Sequence, residues 1–135
     1  MTILMKQLFL ILFSILITVG CHVTKTPKTI VSEYLQAIDN FEFEKANVLL
    51  AVNPENKVAM DNIKSYAISL SEMKKKELLS KAKGRTYNII KKESSENVAL
   101  IIATNNDGPF TSVITFQLVK DNGKWLIKNF KTDIG

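Results

Sequence analysis

The chain has 135 residues, with 18 Lys plus Arg against 13 Asp plus Glu, one His and one Cys. That length accommodates one domain, and 46% hydrophobic with 23% charged residues is globular rather than disordered composition. A single Cys excludes an internal disulfide and a Cys-based metal cluster, and any Ser-His-Asp triad or His-rich metal site would rest on His22 alone.

Residues 1–20 carry one charge, Lys6, followed by an apolar stretch from Leu8 to Val19. Its length suits a signal-peptide h-region, about 7–15 residues, and falls short of the roughly 20 that a spanning helix needs. Gly20 is a small residue suited to cleavage, and the sole Cys, Cys21, follows it. Thr18-Val19-Gly20-Cys21 resembles the lipobox of bacterial lipoproteins, with Thr18 standing where Leu is usual. The resemblance implies cleavage between Gly20 and Cys21 and acylation of Cys21, which becomes the new N-terminus. An uncleaved anchor and an ordinary secretory signal with an incidental Cys are the plainer alternatives. Acyl chains contribute about 0.8 kcal/mol per buried CH₂, so several hold a small domain on a membrane. Residues 1–20 are then the signal, 21–25 the lipidated Cys and its tether, and 26–135 the domain; loss of Lys6 lowers the formal charge from +5 to +4. His22 rather than Asp after the Cys favours, by the lipoprotein sorting rule, the outer membrane of a Gram-negative producer.

Thr26-Pro27 combines an N-cap residue with proline at the first helical position. Ile30, Val31, Tyr34, Leu35 and Ile38 then recur at helical spacing and define one apolar face. Asp39-Asn40 interrupts the pattern, and Phe43, Ala46, Leu49 and Leu50 open a second, short helix. Asn53-Pro54 repeats the cap-plus-proline signature. It predicts one longer polar helix with Ile63, Tyr66, Ala67, Leu70 and Met73 on one side, stopped at Gly84.

After Gly84 the period changes. Segments 85–93, 97–104, 110–120 and 124–130 are rich in Ile, Val, Thr and aromatics, as strands are. The turn sequences Ser94-Ser95-Glu96, Asn105-Asn106-Asp107-Gly108 and Asp121-Asn122-Gly123 separate them, and such short connections predict an antiparallel meander. Ile114, Phe116 and Leu118 alternate with Thr115 and Gln117, so the third strand has one buried face. The second strand is apolar from Val98 to Ala103 and should be central. Helices followed by strands predict an α+β fold, N-terminal helices packed on a curled four-stranded antiparallel sheet.

Thr26-Pro27 leading into a helix, and Phe41-Glu42-Phe43-Glu44-Lys45-Ala46 after it, resemble small bacterial lipoproteins of a domain-of-unknown-function family in the nuclear transport factor 2-like (cystatin-like) superfamily. Val119-Lys120-Asp121-Asn122-Gly123-Lys124-Trp125-Leu126-Ile127 is similar to that family's last hairpin. The resemblance implies a cone with a cavity between sheet and helices and no assigned chemistry. The superfamily includes isomerases and dehydratases that use carboxylates and tyrosines inside the cone. Tyr34, Asp39, Tyr66 and Tyr87 are the corresponding inventory here, although a tyrosine on a helix's apolar face is more often core and an aspartate at a helix end a turn residue. Superfamily members also dimerise through the exposed sheet face, where Val113 and Val119 fall on the wetter parity.

Lys74, Lys75, Lys76, Lys81, Lys83 and Arg85 form a basic run. It reads first as a solvated face and second as a contact to an anionic membrane surface, worth about 1 kcal/mol per charge. Nucleic acid is disfavoured, because no base-stacking aromatics lie among these lysines and an exported protein does not meet it. The carboxylates show no metal-ligand spacing, His22 sits on a solvated tether, and no cofactor is expected. Trp125 and Ile127 share a parity, which makes Trp125 a core plug before it is a ligand platform. The expectation is therefore a membrane-anchored envelope module that binds a small ligand or a partner protein, with a small isomerase-, dehydratase- or hydrolase-like enzyme as the alternative.

Overall fold

A computed structural model of the chain describes residues 24–105 and 111–134. Four helices, α1 (Pro27–Asp39), α2 (Phe43–Asn47), α3 (Pro54–Ser69) and α4 (Glu72–Lys83), precede four strands. The strands are β1 (Tyr87–Ser94), β2 (Val98–Asn105), β3 (Ser112–Asp121) and β4 (Lys124–Ile134). They form one curled, unclosed antiparallel sheet in the order β1-β2-β3-β4, with the helices packed on it.

The helix starts follow the local chemistry. Thr26 caps α1 by accepting from the Thr29 amide at 3.3 Å, Asn53 caps α3 by accepting from Asn56 at 2.8 Å, and each cap is followed by proline. The single long helix expected up to Gly84 is instead two. Leu70 adopts an extended conformation, and the Ser71 hydroxyl accepts from the Lys74 amide at 3.1 Å, starting α4 afresh. The expected apolar stripe breaks with it: Ala67 is buried, while Tyr66 is 60% and Met73 81% exposed. No residue of α4 is buried.

The inner sheet face interlocks small against large side chains. Ala99, Ile101 and Ala103 of β2 pair with Leu118, Phe116 and Ile114 of β3. Phe116, Leu118, Ile101 and Ile127 are fully buried beneath Val31, Tyr34 and Leu35 of α1. The apolar β2 lies inside the sheet as expected, but only its Ala99, Ile101 and Ala103 side is covered. Leu100 and Ile102 are half-buried on the opposite face, along with Val113 and Val119. The β3–β4 turn places Asn122 and Gly123 at φ 49° and 75°, the left-handed pair that a two-residue hairpin turn requires. Trp125 and Ile127 both face the core; a bulge at Lys128 then shifts the parity so that Phe130 also turns inward, pairing with Phe116.

Both sheet edges are managed. The outer edge of β4 is sealed by the α2–α3 connection: the Ile127 amide donates to the Leu49 carbonyl and Ala51 donates to the Ile127 carbonyl, each at 2.9 Å. Asn56, the one buried polar residue among those described, donates from Nδ2 to the carbonyls of Ala51 (2.8 Å) and Ile127 (2.9 Å), and Asn53 donates to that of Lys128. On β1 a bulge at Lys92 and the exposed Lys91 blunt the other edge.

Candidate functional site

The centre between helices and sheet, where a superfamily cone would hold its cavity, is filled by side chains. Tyr34 stands there edge-on to Phe116 at 5.8 Å and tilted against Phe130 at 5.5 Å. Its hydroxyl is buried without a hydrogen-bond partner, and burial pushes the phenol well above the usual tyrosine range.

The polar convergence lies at the C-terminal end of α1. Asp39, the last residue of that helix, accepts from Arg85 Nη1 at 2.9 Å and from the Tyr87 hydroxyl at 2.9 Å on its other oxygen. The side chains of Arg85 and Asp39 are only 19% and 12% exposed. Burial first, then the charge and hydrogen bond of Asp39, push the Tyr87 phenol up, with Arg85 opposing. Tyr87 opens the first strand and Arg85 follows Gly84 at the end of α4, so this cluster ties α1, α4 and β1 together.

Beside the cluster is a cleft of about 210 Å³. Ile38, Phe41 and Phe43 line it from the α1–α2 turn, Ile63 and Tyr66 from α3, and Leu78 from α4, with Asp39 and Arg85 as its polar wall. The turn itself is a Schellman motif: Phe41 donates to the Ile38 carbonyl at 3.1 Å and Glu42 to that of Ala37 at 2.8 Å. That motif wants glycine at its left-handed position, yet Phe41 occupies it at φ 57°, at a cost of about 1–2 kcal/mol for an L-residue. The Phe41 ring packs on Phe43 at 6.1 Å, edge to face. A wider groove of about 580 Å³ lies between the α2–α3 connection and α3, with Val52 fully exposed beside it and Lys57, Asp61 and Lys64 on its wall.

Of the residues singled out in the sequence, Asp39 and Tyr66 line the cleft, Tyr87 bonds to Asp39, and Tyr34 is core. Arg85 is turned inward to Asp39, apart from the basic run. Lys74, Lys75 and Lys81 form exposed ion pairs along α4 with Glu77, Glu72 and Glu77, and these two carboxylates leave the five lysines of α4 in excess. Hydrogen bonds and charge from Lys81 and Lys74 hold the Glu77 carboxyl below the usual range. Phe41, Phe43 and Asn56 carry no functional motif in the sequence. A phenylalanine directly after the Asn40 helix stop was the only signal available for the first.

No helix of the described residues is long and apolar enough to cross a membrane. No group of three or more His, Cys, Asp or Glu among them is placed to hold a metal ion. Residues 1–23, with the apolar stretch, Gly20, Cys21 and His22, lie outside the described residues. Comparison with protein-family models and with curated proteins finds no match to this chain.

Proposed function

We propose that the chain is a lipid-anchored module of the bacterial cell envelope, acylated at Cys21, whose α+β domain is of the nuclear transport factor 2-like kind and binds a partner protein or small ligand without catalysis. The lipobox-like Thr18-Val19-Gly20-Cys21 supports the anchor. The observation that carries the binding reading is the cleft between the α1–α2 turn and the α3–α4 pair. It is apolar, has exposed Tyr66 at its lip, and has a polar wall whose groups already bond one another. Asp39 is held by Arg85 and Tyr87, bonds that tie α1, α4 and β1 together and fit a structural role for this carboxylate.

The second reading, a small cavity enzyme, draws on the same Tyr87 hydroxyl 2.9 Å from the Asp39 carboxylate, the carboxylate–tyrosine pairing such chemistry uses. The test has two arms. Palmitate labelling of wild type and Cys21→Ser reports the anchor, and equal labelling sinks it. A photoactivatable benzoylphenylalanine at Tyr66, in the full chain in its own membranes, reports binding: adducts formed there and lost on filling the cleft by Ala67→Trp support the module. Their absence removes it.

A further inference from the structure

Three features meet at the end of α1 remote from the tether, and the core needs none of them. Phe41 holds a left-handed backbone position that glycine would fill without strain, and its ring lines the cleft. Tyr66 stands 60% exposed at the lip, with Ile68 and Met73 80% and 81% exposed close by in the chain. Flanking them, Lys74, Lys75 and Lys81 lie within about 60° of Leu78 around α4, three cations that share the two carboxylates of Glu72 and Glu77.

The geometry points to a protein segment as the occupant: an acidic stretch bearing one large apolar side chain, seated against Phe41 and Tyr66 while its carboxylates face the α4 lysines. This deepens, and rests on, the binding-module reading. Size selects the anchor. A cleft of about 210 Å³ is below the roughly 300–1,000 Å³ of sites that enclose a whole small molecule, and it suits one side chain. Charge selects the acidic flanks, since the α4 face beside Leu78 is net positive. Position disfavours a lipid surface. The tether enters at Thr26, and the 13 residues of α1 set the cleft about 20 Å further on.

Phe41 then explains itself. A strained residue that persists where a simpler one would serve marks a use, and here the use is the wall of an anchor socket.

The test is fluorescence anisotropy with the full chain purified in detergent. The probe is a short fluorescein-labelled peptide carrying one Phe among Asp and Glu residues. Saturable binding is expected, about tenfold or more weaker for the same peptide with Phe→Ala and for the Phe41→Gly and Tyr66→Ala proteins. Added salt and Lys74→Glu with Lys81→Glu should weaken it too. Tyr66 is exposed, so Tyr66→Ala keeps the test valid if Phe41→Gly fails to fold. Absence of saturable binding, equal affinity for the Phe and Ala peptides, or equal affinity of wild type and both variants overturns the proposal. So does salt-dependent uptake onto phosphatidylglycerol vesicles that both variants leave unchanged, which assigns the lysines to lipid. If the peptide fails but benzoylphenylalanine at position 66 still crosslinks a membrane protein, the acidic segment falls and the binding module stands; if both fail, both fall.

Discussion

Replacing Tyr34 by Phe removes one atom from the middle of the core and should stabilise the protein. The Tyr34 side chain is 3% exposed, its ring contacts Phe116 and Phe130, and its hydroxyl has no partner. A buried polar group left unsatisfied costs about 1–3 kcal/mol relative to the unfolded chain, where water satisfies it. Both aromatic contacts survive in Phe. The oxygen leaves a void of order 10 Å³, which at about 24 cal/mol per Å³ returns only some 0.2–0.3 kcal/mol. The net expectation is a gain of about 1–2 kcal/mol, or roughly 3–10 °C in Tm for a domain of this size. Urea denaturation monitored by the fluorescence of Trp125 measures it, with an unchanged m-value required. A loss of 1 kcal/mol or more would mean instead that the hydroxyl is bonded in the folded protein.

Tyr87→Phe is expected to behave oppositely and lose about 1–2 kcal/mol in the same assay, since it deletes a hydrogen bond to the charged Asp39. Arg85→Ala should cost about 2–3 kcal/mol, somewhat below the range for fully buried pairs because both partners keep some exposure. Asn56→Ala takes the Nδ2 donor from the Ala51 carbonyl, while the Ile127 carbonyl keeps the Ala51 amide, and should cost about 1–3 kcal/mol. Phe41→Gly should change stability by less than about 1 kcal/mol, because the strain relieved offsets the Phe43 contact and the freer unfolded chain. The raised Tyr34 and Tyr87 phenols keep their protons in the fold while the unfolded chain ionises. Ionisation of these phenols therefore leaves stability unchanged below about pH 10 and lowers it as pH rises above that, a decline that Tyr34→Phe should lessen in urea titrations at pH 9 and pH 11.

What was legible in the sequence was local chemistry. Thr26-Pro27, Asn53-Pro54 and Asn122-Gly123 each satisfy a backbone requirement within three residues, and all three act as read. The alternation of Ile114, Phe116 and Leu118 placed the inner face because a strand's period is two. The α3–α4 break escaped because Ser71 caps a helix without any Gly or Pro to announce it. The Lys92 and Lys128 bulges escaped because a parity shift is a property of the pairing, not of one strand's pattern. The site was half legible. Asp39 and Tyr87 were picked by residue type, but they lie 48 residues apart, and only the packing of α1 against β1 joins them. Phe41 looked like an ordinary aromatic because its neighbours do not reveal a left-handed backbone.

Crosslinking from position 66 reads out whether the chain binds its partner through the cleft at the far end of α1. The full chain carrying benzoylphenylalanine at Tyr66 is irradiated in its own membranes, with and without Phe41→Gly. A discrete adduct is expected, with its yield clearly reduced in Phe41→Gly while the protein remains folded. An adduct of undiminished yield in Phe41→Gly, or none in either protein, contradicts binding through the cleft.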